Sequence, residues 1–237
     1  MMSQEFTSVK ITKVKRERAS DAVIHILRES ILDQTFSPGE RLDVKMLASK
    51  LDVSLTPVKD AINRLVVEGL IELRPRSGTF VSSLSPKDIE ETLAVRRALE
   101  CLAAETVIKN ITDEDLADFK DLVEALGCPV ESERDRQQHE RRNYEFHQRF
   151  VELSGNSRIV EIYHKLNAHI KIARVHYASD SWAQRLRAEQ AEHRKILDGL
   201  EKRNIRTLQR ALGEHITRAT AALVNDLKRK ARAKKEE

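Results

Sequence analysis

Helix breakers are scarce and well separated in this chain: 237 residues hold only 7 glycines and 5 prolines. Stretches this free of both residues let helices run for several turns, so a mainly helical chain is expected. Behind Ser85-Pro86, where proline suits a first helical position, the pattern predicts helices over 86–109, 113–126, 133–154, 156–178, 181–202 and 204–230. Thr112-Asp113, Gly127 with Pro129, Ser154-Gly155, Ser179-Asp180 and Arg203-Asn204 punctuate them. Six helices in a row with short connections read as an all-α bundle over 84–230. The tail KRKARAKKEE reads as a solvated charge run, with 231–237 set apart as a charged end.

The front of the chain has a different rhythm. Residues 1–19 are polar and basic and read as a flexible arm. Ser20 is an N-cap candidate for a helix whose apolar face is Ala22, Val23, Ile26, Leu27 and Ile31. A Pro-Gly turn in SPGERL ends it, a short helix VKMLASKL follows, and LDVS turns tightly into VSLTPVKDAINRL. Gly69 stops that third helix. Leu70–Leu73 and Thr79–Val81 are then β-prone, with RPRSG as the turn between them.

Helix, helix, turn, helix and hairpin over 20–83 is the order of a winged helix-turn-helix (three helices plus a β-hairpin). In such a unit the third helix enters the DNA major groove and its first residues reach bases and phosphates. Ser54 is placed to cap that helix, Thr56 to give a hydroxyl to phosphate, and Lys59 and Arg64 to offer charge. Lys45 begins the preceding helix, where it would touch backbone. Arg74, Arg76 and Gly78 would form a wing reaching the minor groove. Any one of these cations alone reads as a solvated surface residue; the combination points to double-stranded DNA.

The segment PGERLDVKMLASKLDVSLTPVKDAINRLVVEGLIELRPRSGTFV resembles the winged helix-turn-helix of the GntR family of bacterial transcription regulators. It matches that family's PG, LA..L.VS.TPV, RL..EGL and G.FV elements. Two positions depart from it. The residue after the turn serine, usually arginine, is Leu55, and the residue after TPV, also usually arginine, is Lys59. The resemblance implies cationic contacts from Lys45 and Lys59. Because leucine cannot read guanine as arginine does, it also implies an operator unlike the family's commonest one.

In the rear half, Asn143 and His147 lie four apart on one helix face that continues through Phe150, Val151 and Ser154. His193 falls on the stripe Leu186, Gln190, Ile196, Leu197 and Leu200. His215 falls on Leu208, Leu212, Ile216, Ala219 and Leu223. A buried imidazole needs a partner. Each histidine alone reads as a satisfied core residue, whereas three together with an amide oxygen suit a divalent metal. His25, His139, His164, His169 and His176 receive no such reading.

This region resembles the helical domain of the FCD branch of GntR regulators. R..LE appears as Arg96-Arg97-Ala98-Leu99-Glu100, the Asp-or-Asn-to-His element as NYEFH, and the two later histidines in EHRKILDGL and ALGEHI. The resemblance covers about residues 20–225. It implies a metal held by Asn143, His147, His193 and His215, with zinc first and nickel or manganese as alternatives. It also implies a small carboxylate effector gripped by Arg96. An intrahelical pair with Glu100 is the plainer reading of Arg96. The family commonly has Asp where this chain has Asn143. A neutral amide leaves the ion its full double charge, which favours an anionic effector.

The remaining features exclude more than they assert. A net charge of +4 permits a nucleic-acid partner without requiring one. Cys101 and Cys128 form no disulfide framework, no apolar run is long enough for a membrane span, and the first residues lack a secretory signal. A cytoplasmic protein is the default. The expected function is a DNA-binding transcription regulator and repressor, working as a homodimer on operator DNA, with operator affinity set by a small organic acid at the metal site. The alternatives are a regulator whose histidines bind the effector without metal, and a helical metalloenzyme. No enzyme is expected, because HExxH is absent and no general base is paired with the histidines.

Overall fold

The computed structural model of the protein describes residues 19–33, 35–177 and 182–236. The front unit consists of α1 (Ala19–Leu32), β1 (Arg41–Leu42), α2 (Val44–Lys50), α3 (Leu55–Val67), β2 (Ile71–Arg74) and β3 (Gly78–Val81). Behind it come α4 (Pro86–Asn110), α5 (Asp113–Leu126), α6 (Glu133–Glu152), α7 (Ser157–Tyr177), α8 (Trp182–Glu201) and α9 (Ile205–Glu236). The fold is therefore mainly helical, a winged helix-turn-helix followed by an all-α bundle.

Capping explains why the rear helices start where they do. Ser85, Thr112 and Ser132 each accept a bond from the backbone N–H three residues on, and Asp88, Asp115 and Asp135 each reach back to the cap's own N–H. Each box satisfies two donors that a helix N-terminus otherwise leaves open. At the α8–α9 turn, glycine is required at 199. A Cβ there would sit 2.8 Å from Leu208 Cα, so only glycine lets the two helices approach this closely.

Helix α2 ends in a turn toward α3 with Asp52 in the left-handed region, a conformation open to a short polar side chain. Val58, Ala61, Ile62 and Leu65 then turn one face of α3 into a core shared with Val23, Ile24, Leu27 and Ile31 of α1. The sheet is the chief departure from the sequence reading. Arg41 and Leu42, read as part of a turn, pair antiparallel with Phe80 and Thr79, giving three strands in the order β1-β3-β2. Smaller departures lie at helix ends: Ser20 falls inside α1, which begins at Ala19, and α9 runs on through most of the charged tail. The expected arm, up to residue 18, and the Ser179-Asp180 break lie outside the described residues.

Two cores hold the chain. The rear core is built on Phe119, Phe146, Phe150, Tyr163, Ile196 and Leu212, from five helices of the bundle. The front core extends beyond the winged unit to Ile89 and Leu93 of α4, Ile170 of α7 and Ile216, Leu223 and Val224 of α9. Helices α4, α7 and α9 thus contribute to both, so each is a rigid rod between them.

Candidate metal centre and nucleic-acid interface

Four helices converge on the three imidazoles. Helix α6 brings Asn143 and His147, α8 brings His193, α9 brings His215, and α4 lies behind with Arg96 and Glu100. All six side chains are buried. One nitrogen from each histidine lies within 4.8 Å of the other two, and His147 Nε2 is 3.1 Å from His215 Nε2. Two nitrogens bound to one ion at about 2 Å stand at a comparable spacing.

The far side of every ring is fixed by an acceptor. His147 Nδ1 donates to Glu100 Oε2 at 2.9 Å, His215 Nδ1 to Glu192 Oε2 at 2.9 Å, and His193 Nδ1 to the Glu189 carbonyl at 2.8 Å. Carboxylate and carbonyl oxygens only accept here, so each Nδ1 carries the hydrogen and each Nε2 turns a lone pair toward the others. Two Nε2 atoms facing each other at 3.1 Å need a proton or a metal ion between them. Such outer acceptors are what orient histidines as metal ligands.

Electrostatics favours the same protonation states. Burial, then the Arg96 charge, holds His147 down to about 3, and burial holds His193 well below its ordinary value. Both are therefore neutral near pH 7, as ligation requires. For Glu100, burial pushes upward, but Arg96 and His147 outweigh it and hold the carboxyl below its usual range. Arg96 Nε donates to Glu100 Oε1 at 2.6 Å, and the Tyr163 hydroxyl, kept protonated by burial, donates to the same oxygen at 2.9 Å. Arg218 Nε does the equivalent for Glu192 at 2.5 Å. The intrahelical pair considered for Arg96 is thus formed.

Sequence reasoning missed several members of this site. Glu192, Tyr163 and Arg218 are drawn in from other helices, and nothing in their spacing marks them. His139, four residues before Asn143 on the same face of α6, is buried as well. The donor set present, three imidazoles beside an amide-bearing side chain, fits a divalent ion of borderline softness.

The front unit presents the other candidate surface. Ser54, Thr56, Lys59 and, on α2, Lys45 are all exposed. Ser54 occupies the N-cap position of α3 but makes no side-chain bond to the helix, contrary to the expected cap. The first N–H groups of α3 and the hydroxyl itself are thereby left to meet another acceptor. On the wing, Arg76 has φ +61 at the tip, next to the exposed Gly78. Two expected contacts are already engaged within the chain. Arg64 Nη1 donates to Asp21 at 2.7 Å, and Arg74 donates to Glu72 while lying 4.4 Å over the Phe80 ring. A cation that the sequence reading passed over joins the wing instead: the exposed Arg41 on β1 packs its guanidinium against Gly78.

Residues 19–81 match the model of the bacterial regulatory proteins of the gntR family, and residues 91–218 match that of the FCD domain. The chain is 30% identical over 179 residues, 75% of its length and 79% of the relative's, to the uncharacterized HTH-type transcriptional regulator YdhC of Bacillus subtilis. It is 25% identical over 194 residues to the HTH-type transcriptional repressor RspR of Escherichia coli, covering 82% of this chain and 84% of that one. Among solved structures, E. coli McbR/YncC has the same fold, with a TM-score of 0.71, 23% identity and coverage of 90% and 100%.

Proposed function

The chain belongs to the GntR family of bacterial regulatory proteins and carries an FCD domain, which makes it a DNA-binding transcription regulator rather than an enzyme, and from that premise we propose that it is a repressor controlled by a metal-anchored anion. The observation that carries the proposal is the set of three buried imidazoles whose inward nitrogens converge while their outer nitrogens are pinned by Glu100, Glu192 and Glu189. His147, His193 and His215 would hold the ion, with Asn143 as the oxygen ligand. When bound, such an ion supplies a Lewis-acidic anchor for an anionic oxygen.

The side chains around it set what can bind. Arg96 is balanced by Glu100 and Arg218 by Glu192, so neither pair adds net charge to that of the ion. Asn143 adds none either. A small carboxylate is therefore the effector class proposed, with the Arg96 guanidinium as its second contact. A metal-free regulator is the second reading, favoured by one observation: Asn143 brings no negative charge to hold a cation.

Control passes through rods that reach both cores. His215 is in the site and the adjacent Ile216 is in the front core; on α7, Tyr163 bonds Glu100 while Ile170 packs in the front core. An effector that favours one arrangement of α7 and α9 biases the placement of α3 by its differential affinity for the two arrangements. A homodimer is proposed, each copy offering one winged unit (residues 20–83) to a half-site and keeping its own bundle (84–230) behind it. Val95, Ala98 and Leu102, exposed on one face of α4, suit a second copy.

Metal analysis of the purified protein separates the readings, with about one divalent ion per chain expected and none expected for the metal-free regulator. His147→Ala and His193→Ala should lose the ion and the response to added carboxylic acids yet still bind operator in a mobility-shift titration. Parallel loss of folding and of DNA binding in both would make the site structural.

A further inference from the structure

Leu55 is an exposed leucine at a place where exposure has a use. It is the first residue of α3 and is 40% exposed, whereas Val58, Ile62 and Leu65 further along the helix are 0–3% exposed. It stands at the edge of that buried stripe, outside the front core. Its helix-face neighbours one and two turns on, Lys59 and Asn63, are exposed too, and Ser54 and Thr56 flank it with hydroxyls. The helix therefore leads into the groove with one apolar group set among polar ones.

Two destinations exist for such a group when duplex DNA covers this surface. Against the phosphate backbone a leucine has nothing to bond, and the hydroxyls and Lys59 around it already suit that role. On the floor of the major groove the apolar feature of a base edge is the thymine 5-methyl, and small apolar side chains read it by contact. Leucine can neither donate to guanine O6 or N7 from the side chain, nor accept from cytosine N4. Its only means of discrimination is burial of a hydrocarbon surface.

We propose that Leu55 is a base-reading residue that selects a thymine in each half-site by packing on its 5-methyl group. Other exposed apolar residues of the unit, such as Val67 at the far end of α3, stand away from the leading turn and have no such role.

Deoxyuridine removes that methyl and nothing else, which makes the test direct. The operator is first selected from a random duplex library with the full-length protein. Each thymine of a half-site is then replaced by deoxyuridine, and binding is measured by fluorescence anisotropy at fixed salt. Wild-type protein should bind about fourfold more weakly at one position, the effect of burying one methyl-sized group. Leu55→Ala should bind the thymine and deoxyuridine operators alike at that position, with its salt dependence unchanged because no phosphate contact is lost. Leu55→Gln, which keeps the helix propensity of an exposed position, should behave as Leu55→Ala does and serves if the alanine variant is poorly folded. A selected half-site with no methyl-sensitive thymine, or a full methyl effect persisting in both variants, would overturn the proposal.

Discussion

The two ends of the molecule handle charge in opposite ways. In the winged unit, Lys45, Lys59 and Arg76 are held out toward solvent, and of the pairs that form there Arg64 with Asp21 and Arg74 with Glu72 are themselves exposed, while Arg28 with Glu68 is half-buried. In the bundle, Arg96, Glu100 and the three imidazoles are almost wholly buried, and each is tied to named partners. Exposed charge is cheap, individually weak and screened by salt; buried charge is strong and fails badly when one partner is lost. The reading surface should therefore tolerate single changes, and the buried Arg96–Glu100 pair behind it should not.

Breaking the buried network tests that contrast most severely. Glu100→Ala leaves the Arg96 guanidinium buried without its carboxylate and His147 without its Nδ1 acceptor. The expected loss is about 3–5 kcal/mol, or roughly 10 °C in melting temperature by calorimetry. A variant that melts with the wild type would mean that the network carries no stability.

Acid should expose the same asymmetry at a smaller scale. Folded His147 takes its proton only at about 3, against 6.5 for a free imidazole. As pH falls through 6.5 the unfolded chain binds a proton that the folded chain refuses, so stability is complete above that value and drains away toward 3. For metal-stripped protein His147 alone contributes about 1.4 kcal/mol per pH unit in that window. His193 adds in the same direction. Melting temperatures followed from pH 7 to 4 should fall, and His147→Gln should flatten the decline; an equal slope in that variant would remove His147 from the account.

At the exposed end the effects shrink. Lys59→Ala should weaken operator binding across sequences and lower the slope of log affinity against log salt by about 0.9, one phosphate's share. Arg64→Ala, whose charge is already matched by Asp21, should change that slope less. A larger change for Arg64 than for Lys59 would reverse their roles.

What could be read from the sequence follows the same division between local and assembled features. Helix starts were legible from signals contained within one turn, Pro86 behind Ser85 and the Thr112-Asp113 pair, and the folded chain adds the capping boxes closed by Asp88, Asp115 and Asp135. The inward faces of His147, His193 and His215 were legible from helical periodicity. Strand β1 was not, because two residues become a strand only by pairing with β3 across a turn. Glu192, Tyr163 and Arg218 were hidden for the same reason, being brought to the imidazoles by packing between helices. Arg64 and Arg74 look like free cations in one dimension, and only the folded chain supplies Asp21 and Glu72. Ser54 sits at a cap position yet withholds its side chain from the helix, which no spacing rule reveals.

The link between cavity and reading surface can be measured as a reciprocal coupling. A panel of short mono-, di- and tricarboxylic acids is screened by thermal shift on metal-loaded protein for one whose stabilisation disappears in His147→Ala. Operator affinity is then titrated with and without that acid, and acid affinity with and without operator. The account predicts that the acid weakens operator binding and that operator weakens acid binding by the same factor. An acid that binds through the histidines yet leaves operator affinity unchanged would contradict it.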